Sequence, residues 1–155
     1  MNNNELLDLL HSYKQGNINE QTVLEKIQND SFEDIGFAKV DHSRASRQGF
    51  PEVIYCAGKT NQQIADIFLD LFNHSEKNII ASRATQENYA AVLEKVPSAL
   101  YDEAARIIYV RRDNTPVDDK RFILVLTAGT SDIPVAREAG LTAELMGNKV
   151  EYCFD

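Results

Sequence analysis

Residues Phe122 to Glu138 read FILVLTAGTSDIPVARE. The run Phe122-Ile123-Leu124-Val125-Leu126 has no polar break, which marks a strand buried on both faces. A turn of small residues follows, and a helix is expected from about Ile133 to Met146. Gly147-Asn148 is a turn signal, after which Lys149 to Phe154 reads as a second strand. This order is the opening β-α-β of a doubly wound parallel sheet, flavodoxin-like or Rossmann-like. Two strands and one helix cannot cover such a sheet on both faces. The expectation is therefore an incomplete domain over 121–155, cut off soon after its loop. That tail is expected to be disordered, packed against the preceding domain, or ordered by a second chain.

The turn Thr127-Ala128-Gly129-Thr130-Ser131-Asp132 is the strongest site signal. Small residues let the backbone approach a ligand closely. The N–H groups and the positive dipole end of the following helix suit a phosphate. Gly129, Thr130, Ser131 and Asp132 are the candidate binding residues, with Thr130 and Ser131 adding hydroxyls. A carboxylate repels phosphate, so Asp132 has three readings: acceptor from a ribose hydroxyl, metal holder, or helix cap.

Upstream, residues 113–120 are polar and charged and carry Pro116, so they read as a linker. Residues 31–112 alternate strand-like and helix-like runs, which predicts a small layered α/β domain. Its expected strands are Phe37 to Val40, Val53 to Cys56, Ile79 to Ala81 and Ala104 to Arg112. Thr60 and Thr85 are positioned to cap its two helices, and Pro97 ends the second. Residues 1–30 read as a helical hairpin broken at Gly16-Asn17, with Asn19 as cap of the second helix.

A second cluster lies in the loop Asp41-His42-Ser43-Arg44-Ala45-Ser46-Arg47-Gln48-Gly49-Phe50-Pro51-Glu52. Arg44 and Arg47 are fixed-charge forks suited to phosphate or carboxylate, and Ser43 and Ser46 supply hydroxyls. The competing reading is a solvated polar loop. Gly58-Lys59-Thr60 lacks the upstream glycines of a nucleoside-triphosphate loop. His11 and His74 fall on helix surfaces. Arg83 either lines a pocket or makes a structural ion pair, and Arg111 and Arg112 read as solvated.

Composition bounds the partners. The chain has 155 residues and a formal net charge of -8, which argues against a nucleic-acid binder. The N-terminus is polar, and no apolar run approaches the roughly 20 residues of a membrane span. Cys56 and Cys153 show no metal spacing and read as two buried, reduced thiols, so a cytoplasmic setting is expected.

The two clusters together carry a resemblance. FILVLTAGTSDIPVARE is similar to the first β-loop-α of the aminoimidazole ribonucleotide carboxylase superfamily, whose loop ends in Ser-Asp. The upstream DHSRASRQGFPEVIYCAGKT resembles the N-terminal domain of the LarB family, and the likeness spans nearly the whole chain. That family starts biosynthesis of the nickel-pincer nucleotide cofactor of lactate racemase. The resemblance implies a carboxylase and hydrolase acting on nicotinic acid adenine dinucleotide. CO2 would be added to C5 of the pyridinium ring and the phosphoanhydride cleaved, releasing AMP and pyridinium-3,5-biscarboxylic acid mononucleotide.

It further implies a cysteine that adds to the ring, located beyond Asp155, and magnesium for the anhydride cleavage. A chain ending at Asp155 is accordingly expected to be inactive. A homo-oligomer, an octamer built through the carboxylase-like domains, is implied for the intact protein. Ser131 and Asp132 match the superfamily residues that hold phosphate and ribose. Gly129 and Thr130 match its loop, and Arg44 and Arg47 match the LarB motif. Ile133-Pro134 stands where the purine enzymes commonly carry an aromatic. The alternatives are an aminoimidazole ribonucleotide carboxylase or mutase, and a non-catalytic nucleotide-binding module.

Overall fold

The computed structural model describes residues 3–29, 32–34, 39–41, 51–112 and 118–155. The chain is mixed α/β and forms two compact units, Met1–Ser43 and Arg44–Asp155.

In the first unit, α1 (Asn3–Lys14) and α2 (Glu20–Asn29) are joined through Gly16, whose φ of 75° favours glycine. Asn19 caps α2: its Oδ1 accepts from the Thr22 N–H at 2.8 Å. The Tyr13 hydroxyl ties the helices by donating to Glu20 Oε1 at 3.0 Å. Of the apolar stripe, Leu9 is buried, whereas Leu7, Leu10, Tyr13, Leu24 and Ile27 stay exposed. β1 (Phe32–Asp34) and β2 (Lys39–Asp41) pair antiparallel. The strand expected from Phe37 thus starts at Lys39 among the described residues, and β1 was not foreseen.

The second unit is built on a four-stranded sheet in the order β3-β4-β6-β5. Its elements are β3 (Val53–Tyr55), α3 (Asn61–His74), β4 (Ile79–Ser82), α4 (Gln86–Lys95), β5 (Leu100–Asp102) and β6 (Ile107–Val110). β3 and β4 run parallel, and the helices between strands fit that crossover. Thr60 and Thr85 start α3 and α4 with reciprocal capping boxes, using Gln63 and Asn88. α3 buries Ile64, Ala65, Ile67, Phe68 and Leu71. The sheet buries Ile79, Ile80, Ala81, Ile107 and Ile108.

The single strand expected over Ala104 to Arg112 is instead the end of a hairpin. β5 and β6 are antiparallel, and residues 103–106 form the turn. Asp102 Oδ1 accepts from the Ala105 N–H at 2.9 Å, and Arg106 takes a φ of 54°, so the chain reverses without glycine or proline.

β7 (Asp118–Thr127), α5 (Ile133–Leu145) and β8 (Asn148–Phe154) complete the unit, with β7 and β8 parallel. β7 starts at Asp118, inside the stretch read as linker, and residues 113–117 lie outside the described ones. α5 packs on the small sheet: Leu141 and Leu145 share a core with Ile80, Ala105 and Ile107. Asn78 locks this seam. Its Nδ2 donates to the Leu145 carbonyl and its Oδ1 accepts from the Arg112 N–H, both at 2.8 Å. Arg111 meets Glu144 at 2.8 Å and Arg137 meets Asp102 at 2.9 Å. Arg112 is not simply solvated, since its guanidinium binds the carbonyls of Phe72 and Ser75 and lies over the Phe72 ring.

The tail is therefore packed against the preceding sheet. The β7 side chains are not buried on both faces, however: Phe122 is 51%, Leu124 49% and Leu126 64% exposed. Among the described residues β8 is the one strand that pairs with β7, so its other edge is open.

Candidate functional site

The loop Thr127–Asp132 leaves the carboxyl end of β7, the end at which open α/β sheets bind ligands. Thr130–Asp132 forms a 3-10 turn closed by the Asp132 N–H donating to the Gly129 carbonyl at 3.0 Å. The side chains of Thr130, Ser131 and Asp132 are exposed. Gly129 has an extended backbone with φ -164°, and a Cβ there would come no nearer than 3.9 Å to Asp132 Oδ2. Neither the turn nor the packing of this chain demands glycine at 129. A side chain there would still narrow the approach to the loop backbone.

Asp132 occupies the N-cap position of α5 yet makes no side-chain cap hydrogen bond. Its backbone is helical there (φ -92°, ψ -12°) rather than extended, which turns the carboxylate away from the capping geometry. A cap was one of the three readings of Asp132, and its defining hydrogen bond is not made. Thr127, the first residue of the turn singled out in the sequence, was not among its candidate binding residues. Its Oγ1 is buried at the head of the loop with no hydrogen-bond partner among the described residues. Nothing in its sequence context signals that burial.

Ser43, Arg44, Ser46 and Arg47 lie outside the described residues. Of the segment that follows them, Gly58 has φ 82° and Lys59 Nζ donates to the Tyr55 carbonyl at 2.9 Å. Thr60 is used as a helix cap, so Gly58-Lys59-Thr60 is a strand-to-helix turn.

Arg83 makes the ion-pair choice: its Nε meets Glu138 Oε1 on α5 at 3.0 Å. His11 is exposed, and His74 is half exposed with Nδ1 at 3.1 Å from Asp70 Oδ1. The two cysteines differ. Cys56 is buried and its thiol is pushed up to about 11 by that burial, with Lys59 pulling the other way. Cys153 is exposed, contrary to the reading of two buried thiols, because it sits on β8 opposite Leu126 on an uncovered face.

Among the described residues no group of three His, Cys, Asp or Glu side chains is arranged to hold a metal ion. The loop offers one carboxylate, Asp132. That donor set does not make a protein magnesium site. It suits at most an ion already carried by the phosphates of a ligand. A depression of about 320 Å³ lies at the other, amino end of β7 and β8, lined by Asp118, Arg121, Phe122, Ile123, Asn148 and Lys149. It is remote along the strands from the loop. No helix among the described residues is long and apolar enough to cross a membrane.

A strand–loop–helix turn at the carboxyl edge of a parallel strand pair defines a mixed α/β protein whose candidate site lies where such sheets bind ligands. Comparison with known proteins sharpens this. The LarB/PurE-like N-terminal domain family matches residues 32–112. An uncharacterized protein of Methanocaldococcus jannaschii is 34% identical over 158 residues, covering 97% of this chain and 60% of that relative. The chain thus spans about 60% of the length of the curated relative it matches. It belongs to the LarB/PurE-like N-terminal domain family.

Proposed function

We propose that the whole protein is a carboxylase and hydrolase of the LarB type. Its substrate would be nicotinic acid adenine dinucleotide. CO2 is added at C5 of the pyridinium ring and the phosphoanhydride is cleaved, giving AMP and pyridinium-3,5-biscarboxylic acid mononucleotide. The observation that carries this reading is the family match over residues 32–112, which contains the whole arginine-serine loop. The exposed Ser131, and the exposed Asp132 whose carboxylate makes no cap hydrogen bond, support the loop at the carboxyl edge of β7 as the place for phosphate and ribose.

In this reading the loop N–H groups and the Thr130 and Ser131 hydroxyls bind a phosphate, and Asp132 accepts from a ribose hydroxyl. Arg44 and Arg47 bring fixed positive charge to a second phosphate or to the pyridine carboxylate. Magnesium, where it assists, would ride on the substrate phosphates with Asp132 the one carboxylate this loop supplies. The ring-adding cysteine belongs to the part of the protein beyond Asp155. Cys56 is unsuited to that role, because a buried thiol held up to about 11 is a poor nucleophile near neutral pH. We further propose a cytoplasmic homo-oligomer.

The reading is tested by offering the whole protein two substrates in parallel, nicotinic acid adenine dinucleotide and aminoimidazole ribonucleotide, each with bicarbonate and magnesium. Release of AMP from the first, with no carboxylation of the second, is expected. Carboxylation of aminoimidazole ribonucleotide alone would place the protein with the purine enzymes.

A further inference from the structure

The loop Thr127–Asp132 takes its direction from the helix it opens. Thr130, Ser131 and Asp132 are exposed, and Asp132 makes no cap bond. In the first turn of α5, Pro134 and Val135 are exposed as well. Burial starts at Ala136, and the next two residues tie the helix to the small sheet. Arg137 Nε meets Asp102 Oδ2 at 2.9 Å, and Glu138 Oε1 meets Arg83 Nε at 3.0 Å. Asp102 ends β5 and Arg83 follows β4, so both anchors belong to the stretch 32–112 that matches the family. The far end of α5 is fixed separately, by Arg111 on Glu144 and by Asn78 on the Leu145 carbonyl.

Arg83 is the informative anchor. Its φ of 57° is left-handed, a backbone that disfavours any residue with a side chain and suits glycine. The surroundings impose that conformation. β4 ends at Ser82, and Ala84 is fully buried. The Ala84 N–H donates to the Arg106 carbonyl at 2.8 Å, and its carbonyl accepts from the Tyr101 hydroxyl at 3.2 Å. The ion pair does not offset the strain: the Arg83 side chain is 48% exposed, and a pair so open to water adds little stability. Stability gives no reason for an arginine here. The direction of α5 does, because Glu138 lies six residues beyond Asp132 on the helix that carries the loop.

We propose that Arg83 is a positioning residue: through Glu138 it aims the start of α5, and with it the loop that presents Thr130, Ser131 and Asp132 to an anionic ligand. The small sheet then has a part in the site, as the platform on which the loop is set. This rests on the reading of the loop as the place for phosphate and ribose, but exchange of the loop amides tests it without turnover. Hydrogen exchange, thermal unfolding and nicotinic acid adenine dinucleotide kinetics are measured on the whole protein. Arg83→Gly relieves the backbone and removes the pair, so it should melt no lower than the wild type. The Asp132 and Ile133 amides, bonded to the Gly129 and Thr130 carbonyls, should exchange about fivefold faster, with Ile80 and Ile107 unchanged. KM should rise about fivefold with kcat unchanged. Glu138→Gln should reproduce these effects, and Arg83→Lys, which keeps a cation there, should recover most of the loss. A purely structural pair predicts lower melting in both variants, with loop exchange and KM as in the wild type. A higher KM for Arg83→Gly that Glu138→Gln does not share would make Arg83 a direct ligand contact, which also overturns the proposal. If the wild type leaves the dinucleotide intact, the proposed reaction fails and exchange alone decides. Faster exchange confined to Asp132 and Ile133 then sustains the positioning role, and wild-type rates there, or faster exchange across the core, overturn it.

Discussion

Asp132 poses the sharpest residue-level question, because its position suggests a cap and its geometry denies one. An aspartate that makes no cap bond loses little when its charge is removed. Asp132→Asn should therefore change unfolding free energy by no more than about 0.5 kcal/mol, as for an ordinary surface substitution. Turnover by the whole protein should fall if the carboxylate contacts ribose. Denaturant unfolding and steady-state kinetics on the same variant check both halves. A matched loss of stability would return the residue to a structural role. Arg44→Ala and Arg47→Ala should each cost about 1.5–3 kcal/mol of substrate affinity, roughly ten- to a hundredfold, with unchanged unfolding.

Titration gives a further residue-level prediction. Burial pushes the Cys56 thiol up to about 11 from an ordinary value of 9.0. Burial also raises the Tyr152 hydroxyl from 10.0 to about 12, aided by its hydrogen bond to Glu144 and opposed by Arg137. In each case the unfolded chain releases its proton first, so the folded state binds more protons between the two values. Stability from these groups is present below pH 9 and lost as pH rises toward about 11 for Cys56 and about 12 for Tyr152. Urea unfolding between pH 8 and pH 11 should show the decline, and Cys56→Ala should flatten its lower part.

Among the elements, α5 carries the connection between the two sheets, and its fit rests on one small residue. A Cβ on Gly140 would stand 2.6 Å from Tyr152 Cζ on β8. Tyr152 is held there by a 2.7 Å hydrogen bond to Glu144, the Arg137 guanidinium over its ring and an edge contact with Phe154. Gly140→Ala gains about 1 kcal/mol of helix propensity but must displace this ring. Overpacking of that kind costs about 1–3 kcal/mol, so a net loss of stability is expected, and Tyr152→Leu should lessen it. Thermal unfolding of the single and double variants decides.

Legibility followed the range of the interactions. Thr60, Thr85 and Asn19 were readable as caps because each partner lies three residues on. The apolar run at Phe122 gave the β7–α5–β8 order, since periodicity and turn residues are local signals. The β5–β6 hairpin was missed because its turn uses Asp102 and a left-handed Arg106 where a glycine or proline would have marked it. Asn78 could not be foreseen, for its partner at Leu145 is 67 residues away. At the candidate site the loop composition singled out Gly129 to Asp132. The missing cap bond at Asp132 and the buried Thr127 hydroxyl depend on backbone angles and packing that no motif encodes.

At the scale of the whole molecule, the two ends of the β7–β8 pair have different roles. The carboxyl end carries the loop, and the exposed Phe122, Leu124 and Leu126 make the strand itself an apolar surface, with one edge that no strand among the described residues pairs. An open edge of this kind favours pairing with further strands. The chain spans 60% of the length of the relative it matches, and we propose that further strands pair along that edge in the whole protein. Hydrogen exchange should find slow exchange at Ile80, Ile107 and Leu141, which sit in one core. β7 amides on the open edge should exchange faster in the 155-residue chain than in the whole protein. Equal protection of β7 in both would contradict that expectation.

Carboxylation of the pyridinium ring coupled to phosphoanhydride cleavage is tested most directly by following the label from bicarbonate. The whole protein is incubated with nicotinic acid adenine dinucleotide, magnesium and 13C-bicarbonate, and the products are weighed by mass spectrometry. AMP and a mononucleotide bearing one labelled carboxylate are expected in equal amounts. AMP without label in the mononucleotide, or an intact dinucleotide after prolonged incubation with folded protein, would contradict it.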